Sequence, residues 1–274
     1  MSQETAPDPL VTLKEGVKWM WSQGDYPQLA VMLEPEAQAL AARCALTPGT
    51  RVLDVAAGNG NFAIAALRQG AEVTAGDLTP RMVELGRERC AAEGLTCTWL
   101  EADAEALPFP DASFDVVASV FGAMFAPRPE RVAAEMFRVA RPGGIVAMAN
   151  YGVEGFLGRL GGLIGRYSPS APAMRLPSPF EWGDRDEVRR RFAGLASSIE
   201  IKNRTLSFRL ASFAAWRELW EATNPPLMTL KKMLPGERYE ALISETRALC
   251  DELNTASDGA LLLESAYLSV VARR

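Results

Sequence analysis

The stretch from Val52 to Arg68 constrains this chain more than any other. Arg51 to Val55 is a short apolar run that reads as a buried parallel strand. It breaks into small residues and two glycines, Ala56-Ala57-Gly58-Asn59-Gly60. Phe62 to Arg68 then has a helical pattern that ends at Gly70. Strand, glycine turn and helix form the first unit of a nucleotide-binding α/β fold. Glycines let the backbone approach a ligand closely, and the helix start presents free N–H groups to negative charge. The same turn fits the dinucleotide pattern as Gly58-x-Gly60-x-x-Ala63, so by itself it leaves the ligand open.

The following residues repeat the unit. Strands are expected at 71–76, 95–100, 113–119 and 145–150, with helices at 80–92 and 129–140 between them. Thr79 can cap a helix that opens on Pro80. Alternation of this kind builds a parallel sheet with helices on both faces. Ligands of such sheets bind beyond the carboxyl ends of the strands. Asp54, Asp77, Asp103 and Ser119 all fall at or near those ends, so four strand ends bring polar side chains to one rim. Ordinary capping of the next turn is the competing reading for Asp77 and Asp103, and backbone satisfaction for Ser119.

The flanks are less regular. Helices are expected at 11–23 and 28–44, with Trp19, Trp21 and Tyr26 either core or an aromatic lid. Beyond Asn150 comes a Gly-, Pro- and Ser-rich stretch with one helix at 154–164, read as a substrate-facing insertion or a surface loop. A helix at 184–192 carries Arg189-Arg190-Arg191, read as a solvated face. Strand 199–210, helices 212–222 and 237–254, and a closing strand at 260–271 would complete the sheet.

Charge and composition remove several classes. A net charge of −5 argues against a nucleic-acid or anionic-membrane partner, because phosphates need a basic face. No apolar run reaches membrane-spanning length. Four cysteines form no C-x-x-C pair and there is no histidine, so no metal site is expected and a reduced, cytoplasmic setting fits. Without histidine the usual base near neutral pH is missing. Reactions whose nucleophile needs little activation gain weight.

Four segments then resemble motifs of one family: Val52 to Gly60; Gly76-Asp77-Leu78-Thr79-Pro80-Arg81-Met82; Ala102-Asp103-Ala104-Glu105-Ala106-Leu107-Pro108-Phe109; and Arg138 to Gly144. In this order and spacing they resemble the class I S-adenosylmethionine-dependent methyltransferases, in particular the group that includes the ubiquinone and menaquinone C-methyltransferases. The resemblance runs from about Asp25 to Asn150. It implies a Rossmann-like α/β fold with a seven-stranded, mostly parallel sheet, and S-adenosylmethionine as cofactor. One departure is Ala56, where the family begins its turn with glycine; alanine fits there if its φ is negative.

The resemblance also implies roles. Asp77, 23 residues after Asp54, would accept from the ribose hydroxyls, with Leu78 against the adenine. Asp103 would accept from the adenine amino group and the Ala104 N–H would meet a ring nitrogen. Gly58 and Gly60 would meet the methionine part, Tyr26 its carboxylate, and Asp54 either its ammonium or the turn itself. Ala56, Asn61, Met82 and Ser119 complete the expected cofactor set. One domain over 1–274 is expected: a helical lid at 11–45, a cofactor half at 51–150, an insertion at 151–195 and a closing part at 196–274. The acceptor is expected to be small and partly apolar, lined from among Trp19, Met20, Trp21, Phe121, Met124, Phe125, Tyr151, Phe156 and Trp182. Tyr26, Tyr151 and Glu154 are the candidates to assist a phenol, while an amine or electron-rich carbon would need no help.

Three rival readings remain. A nicotinamide dehydrogenase would use the glycine turn and Asp77 but leaves the third and fourth motifs unexplained. A nucleic-acid methyltransferase is suggested by Asn224-Pro225-Pro226, which lies about a hundred residues beyond the fourth strand and reads as a helix-ending turn. A relative that holds the cofactor without methylating is the third.

Overall fold

The computed structural model describes residues 8–168 and 176–274. One seven-stranded sheet, in the order β3-β2-β1-β4-β5-β7-β6, organises the chain. Its strands are β1 (Arg51–Val55), β2 (Glu72–Asp77), β3 (Thr98–Glu101), β4 (Phe114–Val120), β5 (Ala140–Tyr151), β6 (Ser198–Leu210) and β7 (Leu261–Arg273). β1 pairs in parallel with β2 and β4, β2 with β3, and β4 with β5. β7 runs antiparallel to both β5 and β6. The Rossmann-like α/β expectation holds, with one reversed strand.

Helices α4 (Asn61–Leu67), α5 (Pro80–Ala92) and α6 (Pro129–Val139) cross between the parallel strands. The central strands are almost continuously buried, as apolar runs covered on both faces should be. Trp99 on β3 packs so tightly on α5 that a Cβ at Gly86 would lie 2.1 Å from its ring. That contact explains a glycine inside a helix.

Before the sheet stand α1 (Pro9–Trp21), α2 (Tyr26–Ala30), a 3-10 turn (Val31–Leu33) and α3 (Glu34–Arg43). The single helix expected at 28–44 is therefore divided. Pro35 lies in the first turn of α3, where its missing N–H costs nothing. After the sheet's parallel half come α7 (Gly155–Tyr167), α8 (Arg185–Phe192), α9 (Phe213–Thr223), α10 (Pro225–Met233) and α11 (Gly236–Leu253). α10 was not expected. Asn224 both ends α9 and caps α10, accepting from the Leu227 N–H at 3.0 Å, and the two prolines begin the new helix. Arg191 departs from the solvated-face reading: it is 4% exposed and lies 4.6 Å over the Trp182 ring. No described helix is long and apolar enough to cross a membrane.

Candidate functional site

A pocket opens over the carboxyl ends of β1, β2 and β4. Its floor is the turn after β1. There Ala56, Gly58 and Gly60 all have positive φ, of 52°, 55° and 91°. The negative φ expected for Ala56 is thus wrong: alanine occupies a left-handed position, at a cost of about 1–2 kcal/mol. Its Cβ is accommodated by Gly122, where a side chain would stand 2.8 Å from the Ala56 Cβ and 2.2 Å from its carbonyl oxygen.

Asp54 closes β1. Its Oδ2 accepts the Ala63 N–H at 2.9 Å, which fixes the start of α4 against the strand. The side chain is 1% exposed, and burial pushes its carboxyl up to about 8; the Ala63 hydrogen bond opposes that rise and nearby Asp77 adds to it. Asp77 ends β2. Its Oδ2 accepts from the Gly58 N–H and its Oδ1 from the Thr79 N–H, both at 2.8 Å. One carboxylate therefore ties two turns together. Burial raises its pKa, against those hydrogen bonds.

Asp103 stands at the far side. Its Oδ1 accepts the Glu105 N–H at 2.9 Å. Its Oδ2 takes a partner that the sequence did not suggest: Lys14 Nζ of α1, at 2.6 Å. Lys14 also lies 2.5 Å from Oε2 of the fully buried Glu105, the same oxygen that Arg128 Nη2 meets at 2.8 Å. Lys14, Val17 and Trp21 all line the pocket, and their spacing puts them on one stripe of α1. That helix contributes no buried residue, so it is a roof and not core.

Of the expected cofactor residues, Tyr26, Asp54, Ala56, Gly58, Asn61, Asp77, Leu78, Met82, Asp103 and Ala104 line this pocket. Gly60 and Ser119 do not. Gly60 forms the turn behind the wall, and Ser119 Oγ accepts the Ala123 N–H at 2.9 Å. Asn61 reaches the wall, but its amide is engaged by the Ala30 carbonyl at 2.8 Å and by Arg89 at 2.6 Å.

A second cavity, of about 260 Å³, adjoins the first. Trp21, Tyr26, Leu33, Phe121 and Phe125 line both. The rest of its wall includes Tyr151; Leu157, Leu160 and Ile164 of α7; and Phe180, Phe208, Trp220 and Asn224. No charged side chain among the described residues lines it. Phe121 has a φ of +57°, rare for a bulky residue, and its ring stacks on Tyr151 at 3.9 Å. Burial pushes Tyr26 up to about 12, aided by Asp77, and lifts Tyr151 well above a phenol's ordinary value.

The other expected acceptor-lining residues lie elsewhere. Trp19 is exposed and points to Lys232, while Met124, Phe156 and Trp182 are core. Met20 lines neither cavity, and Glu154 is solvent-exposed just before α7. Of the three candidates for assisting a phenol, only Tyr26 and Tyr151 face the cavity. The described residues contain no cluster of His, Cys, Asp or Glu that could hold a metal.

Comparison with known proteins bears on this arrangement. A family model described as a methyltransferase domain matches residues 53–148. The chain is 44% identical over 259 residues to an uncharacterized protein of Mycobacterium tuberculosis, covering 93% of each. It is 40% identical over 103 residues to a demethylmenaquinone methyltransferase of Thermus thermophilus, which spans 37% of this chain and 47% of that one. The crystal structure of the YcgJ protein from Bacillus subtilis shares the fold at a TM-score of 0.62 and 18% identity, over 87% of this chain and 98% of the other.

Proposed function

This chain belongs to the class I S-adenosylmethionine-dependent methyltransferases, and we propose that its acceptor is a small, partly apolar molecule held in the aromatic cavity beside the cofactor. S-adenosylmethionine is the cofactor, and it supplies a methyl group made electrophilic by a positive sulfonium. The pocket's donors and acceptors suit it. Asp54 is a buried carboxyl pushed up to about 8, a position that a ligand's ammonium would relieve. Each Asp77 oxygen accepts one backbone N–H and keeps a lone pair for a ribose hydroxyl. A side chain at Gly58 would meet the Tyr26 ring at 3.3 Å, so glycine lets the turn backbone lie close under Tyr26 at the pocket wall.

In this reading Asp103 and Ala104 hold the adenine edge, with Leu78 and Met82 against the ring. Asp77 holds the ribose, and Asp54, Ala56, Gly58 and Tyr26 surround the methionine end. Gly60 and Ser119 shape the turns behind the wall, while Asn61 lines the pocket with its amide already engaged by Ala30 and Arg89. The wall common to both cavities is where acceptor and methyl group would meet.

The observation that carries the acceptor reading is the uncharged, largely aromatic cavity sharing that wall. Its two phenols are held protonated at neutral pH, so neither serves as a base there. The acceptor must bring its own nucleophile, which favours a neutral amine or an electron-rich carbon over an oxygen. The protein's part is alignment and exclusion of water. A panel of neutral amines, phenols and electron-rich aromatics, scored by S-adenosylhomocysteine release, tests this. Turnover confined to nucleic acids or multiply charged acceptors would refute it.

A further inference from the structure

We propose that Lys14 is a positioning residue that latches α1 to the adenine-binding carboxylate and so sets how long the cofactor stays bound. The inference rests on the placement of adenine at Asp103. Glu105 is fully buried and already has Arg128, whose N–H, Nε and Nη2 lie 2.6, 2.9 and 2.8 Å from it. Lys14 bridges the two carboxylates, 2.6 Å from Asp103 and 2.5 Å from Glu105, and is the one cation paired with Asp103 among the described residues. One Asp103 oxygen is fixed by its own turn, through the Glu105 N–H. The other, Oδ2, holds α1 through Lys14 and has a second lone pair for an amino group. Adenine and α1 therefore share one oxygen.

Apart from Lys14, few contacts tie this helix to the site. It has no buried residue, Trp19 meets Lys232 away from the pocket, and Trp21 meets Tyr26 edge-on at 5.7 Å and Phe125 at a tilt at 5.8 Å. Lys14 is nevertheless only 14% exposed. Trp21, seven residues further on, stands about 10 Å along the axis and lines both cavities. The helix is thus pinned at the adenine end and walls the acceptor cavity at the other. An ordered adenine stiffens Asp103, Asp103 holds Lys14, and Lys14 holds the roof down.

The test uses S-adenosylhomocysteine on the full chain. Lys14→Met should speed its dissociation about tenfold with little change in association, a loss of about 1.4 kcal/mol. In wild type the ligand should slow hydrogen exchange along α1; in Lys14→Met it should not. Lys14→Arg should restore both effects. Lys18→Met, on the same helix but paired only with Glu15, should behave as wild type. Since α1 has no buried residue and Arg128 still pairs the buried Glu105, the substitution should leave the fold intact, which circular dichroism verifies. Wild-type dissociation and ligand-dependent protection in Lys14→Met would overturn the latch. Asp103→Asn separates the two levels. If it weakens binding while Lys14→Met does not, the latch fails and the adenine placement stands. If Asp103→Asn binds like wild type, the placement itself fails.

Discussion

Replacing Asp54 with asparagine should make the protein less sensitive to rising pH while weakening its hold on the cofactor. The carboxyl moves from an ordinary 3.8 to about 8 on folding, because burial strips its water and the one hydrogen bond from Ala63 does not compensate. Between those values the native state keeps a proton that the unfolded chain has lost. Stability from this residue is full below pH 3.8 and drains away as pH rises toward 8, at about 1.4 kcal/mol per unit. By pH 7 the accumulated loss is about 4 kcal/mol. Asparagine has nearly the same shape, still accepts from Ala63, and does not titrate. Urea unfolding of both proteins at pH 5 and pH 7 should therefore show the variant gaining about 2.7 kcal/mol relative to wild type across the interval. Parallel profiles would falsify the argument, because Asp54 would then ionise as it does in water. Calorimetry in two buffers of different ionisation enthalpy reads the same proton from the other side. Cofactor binding at pH 7 should release a proton from wild type and none from the variant.

Other perturbations reach the same site. Asp77→Ala removes the tie between two turns and the proposed ribose acceptor, and should weaken S-adenosylhomocysteine binding more than tenfold (at least about 1.4 kcal/mol) by titration calorimetry. Gly122→Ala drives a methyl into the Ala56 carbonyl and should cost about 2 kcal/mol or more, seen as a melting temperature lower by about 4 °C or more. Tyr151→Phe should leave the pH dependence of turnover unchanged, since burial keeps that phenol protonated throughout the neutral range; a shifted profile would give it the base role denied here.

The cofactor half was legible because its chemistry is local in sequence. Asp54 and Asp77 each end a strand whose apolar run precedes them, and the turn that follows is written in small residues. Lys14 was not legible. Its partner is 89 residues away, and a lysine on a surface helix looks the same whether or not it reaches inward. The aromatic cavity beside the first pocket was read only in part for a similar reason. Trp21, Phe121, Phe125 and Tyr151 lie beside recognised motifs, but Phe208 and Trp220 arrive from late elements whose placement depends on the sheet closing. Pro225 and Pro226 misled for a physical cause, since proline ends one helix and starts the next equally well. The φ of Ala56 was set by the room left at Gly122, a contact between residues 66 positions apart.

The wall common to the two cavities limits how this enzyme can be redesigned. Trp21, Tyr26, Leu33, Phe121 and Phe125 line both cavities, so under the proposed function a change made there to admit a new acceptor should also alter the grip on the methyl donor. Leu157, Leu160, Ile164 and Phe208 line the second cavity alone. A library confined to those four should vary the size and shape of the proposed acceptor while leaving the donor's affinity unchanged. Selectivity and cofactor economy are separable on one side of the chamber and welded together on the other.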